Sequence, residues 1–216
     1  MSTLILTSDG IDSLEIEAEF RKHINNNTRV AIIPTAKVGE KKIIRSREQE
    51  ELFRELFCPK AIDFIDLETD APEKLLDYDF VYLLGGSPFR LQFYINKSNA
   101  KEIFKKMIKR NITIAGVSAG SMVLGKNMGV CEYLSPEMNE EGLKDFRGLG
   151  LTDVNICPHY NNFPEKYEDC DKKIRRFSRE NSVKVTKIND GEALVVDTET
   201  GKIKKLKGEV IVREKE

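Results

Sequence analysis

The sequence is poor in the features that would place it in several large protein classes. Its four cysteines (Cys58, Cys131, Cys157 and Cys170) lie far apart and form no C-x-x-C pair. That argues against a disulfide scaffold and against a zinc site of paired spacing, and reduced thiols are expected. Neither sign of charge dominates: Lys+Arg 35 against Asp+Glu 36 leaves a formal net charge of -1. The balance gives no electrostatic argument for a nucleic acid or for an anionic membrane surface, and neither is expected as a partner. No apolar run reaches transmembrane length, and the opening "MSTLILTSDG" lacks a basic n-region, so it reads as a first strand and not as a signal peptide. A cytoplasmic protein is expected. Internal repeats, low-complexity segments and Ser/Gly/Pro-rich linkers are also missing, and residues 1–216 read as one domain.

What is present is a hydrophobic content of 40% beside 33% charged residues, enough to bury a sizeable core under a solvated surface. Short β-rich runs alternate with helical patterns. Strands are expected over 3–8, 29–36, 61–67, 79–86 and 112–118. Helices are expected over 13–26 and 40–57, over 89–110 as one broken helix or two, and over 165–180. Near-continuous apolar strands separated by helices predict an α/β fold of three layers, with a mostly parallel central sheet and helices on both faces. After Asn181 the texture changes to period two in "VKVTKI", "EALVVDT", "KIKKLK" and "EVIVRE", which predicts a C-terminal β-hairpin region.

The stretch with most chemistry in it is "ITIAGVSAGSMVLG", where an apolar strand runs into Gly116-Val117-Ser118-Ala119-Gly120. Gly-x-Ser-x-Gly between a strand and a helix is the pattern of a nucleophile elbow. A sharp turn holds the serine in a strained conformation, only small neighbours leave room for it, and the following amides point where an oxyanion would form. Such a serine needs a base, and the chain offers His23 and His159. His23 sits near the end of the first amphipathic helix among Lys22 and asparagines and reads as solvated. His159, in "DVNICPHYNN", follows a short apolar run, where open α/β sheets keep their chemistry.

For the third member, Asp145 and Asp153 lie between serine and histidine, but the late histidine of an α/β-hydrolase is missing. The order Ser118, His159, then a later acid fits better, and "KINDGEALVV" supplies Asp190 with Glu192 as the alternative. A second strand ends in Gly85-Gly86, where a bare backbone lets Gly86 N–H pair with Ala119 N–H as an oxyanion hole.

Together "LLGGSPFRL", "IAGVSAGSMVLG", "CPHYNN" and "INDGEALVV" resemble the peptidase E and cyanophycinase family of serine peptidases, over almost the whole chain in order and spacing. The resemblance implies a fold related to the class I glutamine amidotransferases and a metal-independent, cofactor-free serine peptidase. It carries the nucleophile to Ser118, the base to His159, the acid to Asp190 in preference to Glu192, and the oxyanion hole to Gly86 and Ala119. Two positions depart from the family pattern: Ser87 stands where asparagine is common, and Ser121 where alanine is common.

The implied substrate is a small peptide, with Asp-X dipeptides as one candidate. Ser87, Arg90 and Tyr160 are candidate substrate contacts, and Arg90 or Lys166 would supply a cation. Residues 126–150 are expected to form a wall or lid. A monomer or homodimer is expected. Two other readings stay open: a non-catalytic member that binds a small ligand or partner in the same cleft, and a thiol enzyme using Cys157.

Overall fold

The computed structural model describes residues 2–211. The chain runs β1 (Thr3–Thr7), α1 (Leu14–Phe20), β2 (Arg29–Ile33), α2 (Gly39–Phe57), β3 (Ala61–Phe64) and β4 (Phe80–Leu83). Then come α3 (Pro88–Lys97), α4 (Ala100–Lys109), β5 (Thr113–Val117), α5 (Ala119–Leu124), α6 (Val130–Leu134) and β6 (Asn155–Cys157). The last elements are α7 (Phe163–Lys166), α8 (Cys170–Asn181), β7 (Val185–Lys187), β8 (Glu192–Asp197) and β9 (Ile203–Lys207).

Seven strands form one sheet in the order β3-β2-β4-β5-β1-β8-β9. The first five are parallel, whereas β8 runs antiparallel to β1 and β9 antiparallel to β8. Alternate residues of each strand feed opposite cores, as the period of two requires. Ile5, Val30, Ile32, Phe80 and Tyr82 pack with Ile16 and Phe20 of α1 and with Phe53, Leu56 and Phe57 of α2. Leu4, Leu6, Ala31, Ile33, Val81, Leu83 and Ile114 pack under α3, α4, α5, α6 and α8. Three layers result, as the strand pattern predicts.

Local chemistry sets the element ends. Ser13 caps α1, its side chain accepting from Ile16 N–H. The helix stops at Phe20, short of the expected 26, because Phe20 C=O accepts from both His23 and Ile24 in a closing turn. The 89–110 segment is two helices, broken where Asn99 takes φ 57°. The expected helix over 165–180 is also divided, with Asp169 at φ 55° before α8.

The C-terminal pattern is only partly hairpin. β8 and β9 form one, but "VKVTKI" contributes β7, which leaves the main sheet and pairs parallel with β6. Its continuation Ile188 is fully buried and donates to Cys157 C=O. In "EVIVRE", residues 209–211 are not strand: Ile211 N–H donates to Asp12 C=O. Residues 212–214 lie outside the described residues. Among the described residues, no helix is long and apolar enough to cross a membrane.

The register decides what meets at one edge of the sheet. Thr7 is level with Val117, Leu83 with Gly116, and Thr7 with Ala193. The carboxyl ends of β1, β4 and β5 and the amino end of the reversed β8 therefore coincide. Ser8, Gly85-Gly86, Ser118 and the turn 189–191 gather there.

Candidate active site

Ser118 is the first residue past β5 and adopts φ 50°, ψ -112°, a region that non-glycine residues enter only when their surroundings compel it. The surroundings are explicit. Ser118 N–H donates to Thr7 C=O at 3.1 Å, and Ser118 C=O accepts from Met122 N–H at 3.0 Å. A Cβ on Gly116 would lie 2.5 Å from the Gly120 backbone, and one on Gly120 would lie 2.2 Å from Leu83 O. The two glycines of the motif are thus demanded by the closeness of α5 to β5 and β4. Ser121 has its own role: its buried Oγ lies 2.8 Å from Thr7 O and 2.6 Å from Gly116 O, pinning α5 to the ends of β1 and β5. The Ser118 hydroxyl makes no hydrogen bond among the described residues.

Gly86 takes φ 146°, and a Cβ there would stand 2.3 Å from Ala36 O. Ala119 is the first residue of α5, so its N–H has no helical acceptor. Gly86, Ser118, Ala119 and His159 all line one cavity of about 280 Å³.

His159 and Asp190 are brought together by the small parallel ladder. Cys157 of β6 is level with Lys187 of β7, so the two chains leave the ladder side by side, His159 two residues on and Asp190 three. Tyr160 N–H donates to Ile188 C=O and keeps them adjacent. His159 Nδ1 lies 2.7 Å from Asp190 Oδ1. A carboxylate can only accept, so Nδ1 carries the proton and Nε2 is left as an acceptor. Burial opposes charge on His159, but the Asp190 hydrogen bond and charge, with Asp9 and Asp12 beyond, outweigh it and raise its pKa above the ordinary value. Burial likewise works against Asp190, yet His159, Ser8 and Asn162 hold its carboxyl below the usual range.

Sequence reasoning missed the residues that fix this pair. Ser8 accepts from His159 N–H at 2.7 Å and donates to Asp190 Oδ1 at 2.8 Å. Asn162 Nδ2 donates to Asp190 Oδ2 at 2.8 Å, and Asn161 Oδ1 accepts from Asp190 N–H at 3.0 Å. The available signal was "SDG" closing the first strand: a strand end beside β5 faces the same edge. The same turn supplies Asp9 and Asp12, which with Asp190 bring carboxylate oxygens within 4.8 Å of one another. A cation there would compete with His159 for Asp190, so this set suits electrostatic backing of an imidazolium better than metal ligation. Burial raises Asp9, and it pushes Asp12 up to about 6 despite a hydrogen bond from Gly191 N–H.

The other candidates are placed as follows. Glu192 is buried, accepts from Asn189 N–H at 2.9 Å and pairs with Lys205 at 2.8 Å, so its carboxylate serves the 189–192 turn and not His159. Ser87 caps α3 and donates to Met138 C=O. Arg90 is held by Glu68, by Glu141 at 3.2 Å and by Thr35 C=O at 3.1 Å, and it is not on the cavity wall. The Tyr160 hydroxyl donates to Asp171 at 2.8 Å. Lys166 is on the cavity wall, with Nζ 5.2 Å from the centre of the Tyr167 ring. His23 contacts Thr113 and Glu19, away from this edge. Cys157 faces the cavity, but burial pushes its thiol up to about 12, which leaves it protonated and a poor nucleophile. Cys131, Leu134, Ser135 and Met138 make the segment after Gly125 a wall of the cavity.

The chain is similar to several known peptidases. A peptidase of unassigned function from Pasteurella multocida (strain Pm70) is 28% identical over 205 residues, covering 93% of this chain and 96% of its own. A similar peptidase from Listeria innocua is 28% identical over 210 residues, covering 92% and 94%. Peptidase E of Streptomyces coelicolor is 26% identical over 132 residues, covering 59% and 53%. Among solved structures, a peptidase E-type protein from Listeria monocytogenes EGD-e superposes with a TM-score of 0.74 at 23% identity, covering 96% of this chain and 98% of that one. That likeness is one of fold. Residues 4–204 match the Peptidase family S51 description, and the chain belongs to peptidase family S51.

Proposed function

We propose that the protein is a serine peptidase that hydrolyses small peptides through Ser118, His159 and Asp190. The observation that carries this reading is the 2.7 Å contact between His159 Nδ1 and Asp190 Oδ1, with His159 lining the same cavity as a strained Ser118. Ser118 Oγ attacks the scissile carbonyl as its proton passes to His159 Nε2. The oxyanion is received by the N–H groups of Gly86 and Ala119. His159 then returns the proton to the leaving amine, and an acyl-enzyme remains on Ser118. Water, deprotonated by His159, attacks that ester, and His159 returns the proton to Ser118 Oγ as the acid leaves. Asp190 holds the tautomer and stabilises the imidazolium throughout. A cavity of about 280 Å³ lies just below the ~300–1,000 Å³ common for small-molecule sites, which suits a short peptide and not a folded protein.

The experiment is intact-mass spectrometry after incubation with a fluorophosphonate, comparing wild type with Ser118→Ala. One adduct on the wild type and none on the variant is expected. An unlabelled wild type that remains folded would overturn the peptidase reading in favour of a ligand-binding member. Asp-X dipeptides, the candidate substrates suggested by the resemblance, are assayed beside other dipeptides.

A further inference from the structure

The cavity next to Ser118 is lined mostly by apolar residues beyond the reacting groups. Its apolar lining comes from Met122, Cys131, Leu134, Met138, Cys157 and Phe163, with two prolines beside them. Met122, Cys131, Leu134 and Cys157 are buried, so these walls are fixed by the core and are not surface residues turned inward. The polar exceptions are few. The Ser135 hydroxyl donates to the Tyr167 hydroxyl at 2.7 Å. Lys166 is exposed, with its ammonium near the Tyr167 ring at the rim. Arg90 is already neutralised by Glu68 and Glu141, and Lys187 by Asp171.

We propose that this cavity receives an apolar side chain flanking the scissile bond, so that the enzyme prefers peptides with Leu, Met or Phe beside that bond over peptides with Asp. The inference rests on the peptidase reading and names its substrate class. An aspartate entering here would exchange water for a mostly hydrocarbon and sulfur wall, with an exposed lysine and the Ser135–Tyr167 hydroxyl pair to offset part of the loss. A leucine or methionine side chain would instead leave water for a preformed apolar surface, a gain corresponding to about 10–100-fold in kcat/KM. Two methionines and two cysteines make the wall soft, which accommodates both aliphatic and aromatic side chains.

The test uses two dipeptide series, X-Ala and Ala-X, with X as Leu, Met, Phe or Asp, on enzyme whose active fraction has been titrated with the fluorophosphonate. The expected result is that an apolar X exceeds Asp by about tenfold or more in one series, and that Asp leads in neither. Labelled enzyme for which Asp leads in either series, or which cleaves none of the set, overturns the inference while leaving the nucleophile intact. Unlabelled enzyme sinks the peptidase reading instead. Met138→Arg, which brings a cation to the wall, is expected to lower the Leu-to-Asp ratio by about tenfold or more. That ratio is taken within one preparation, so partial misfolding does not affect it. Leu134→Ala is expected to shift preference from Leu towards Phe by enlarging the site. Unchanged ratios in both variants would also overturn the proposal.

Discussion

The two sides of the cavity are built by different physics. On one side the ends of β4 and β5 and the turn after β6 present Gly86, Ser118 and His159, and behind them Ser8 and Asp190 fix His159 through hydrogen bonds of 2.7 to 2.8 Å. On the other, α6, the turn after it and the segment from Phe163 to Tyr167 present Leu134, Met138 and Phe163, held by packing. A hydrogen-bonded lattice fixes atoms to fractions of an ångström, as bond-making requires, whereas packed apolar walls fix a shape and tolerate exchange of one hydrophobe for another. Reaction rate is therefore expected to be lodged on the first side and substrate choice on the second.

The comparison breaks most visibly at Asp190. Asp190→Asn keeps the shape but removes the charge and allows the wrong imidazole tautomer, and kcat is expected to fall by about 10⁴-fold. The pH profile carries a signature. As the proposed base His159 would have to be neutral, and its raised pKa is then expected to place the acid limb of kcat/KM above the ordinary histidine value. Without the Asp190 charge that pKa drops, so the residual activity should show its acid limb at lower pH. Glu192→Gln, two residues on, should leave the limb in place and act on stability through Lys205 and Asn189. Equal losses in the two variants would mean that the contact with His159 is not what matters.

Ser8→Ala sharpens the same side. It removes a donor to the Asp190 carboxylate and the acceptor for His159 N–H. Hydrogen bonds to charged groups contribute about 1.5–3 kcal/mol, so kcat/KM is expected to drop by about 10–100-fold. The relative rates for different dipeptides should stay as they were. A change in those relative rates would show that the two sides are not separable.

The same division explains what could be read from the sequence. Ser118, Gly86 and the parallel core were legible because short-range constraints write them: two glycines forced by contacts under 3 Å, and apolar strands buried on both faces. His159 was legible because histidines are scarce. Ser8 was not, since its partners lie 151 and 182 residues away and only the strand order β5-β1-β8 brings them together. β7 was misplaced for a related reason. Its alternation suits any half-buried strand, and nothing in six residues says whether the partner is β8 or β6. Arg90 beside the glycine loop was a reasonable cation from sequence, but Glu68 and Glu141, 22 and 51 residues away, had claimed it.

The smallest effect on rate is expected at Asp12, which backs the polar side without touching His159 or Asp190 in the hydrogen-bond network. Its Oδ2 accepts from Gly191 N–H at 2.6 Å, while Oδ1 is buried with no partner among the described residues. Burial raises its pKa to about 6 from 3.8, so the folded protein favours the protonated form. The sign follows directly: stability linked to this group is fully present below the unfolded pKa near 4 and is lost as pH rises through about 6. Asp12→Asn keeps an acceptor for Gly191 and cannot ionise. It should stabilise the protein at pH 7.5 by on the order of 1–3 kcal/mol, or about 2–4 °C in Tm for each kcal/mol, and the gain should vanish below about pH 4. Thermal melts of both proteins across that range measure it. A gain that persists at low pH would mean that the carboxylate is disfavoured for its shape and not its charge, and that the polar side is packed, like the opposite wall, and not electrostatically poised.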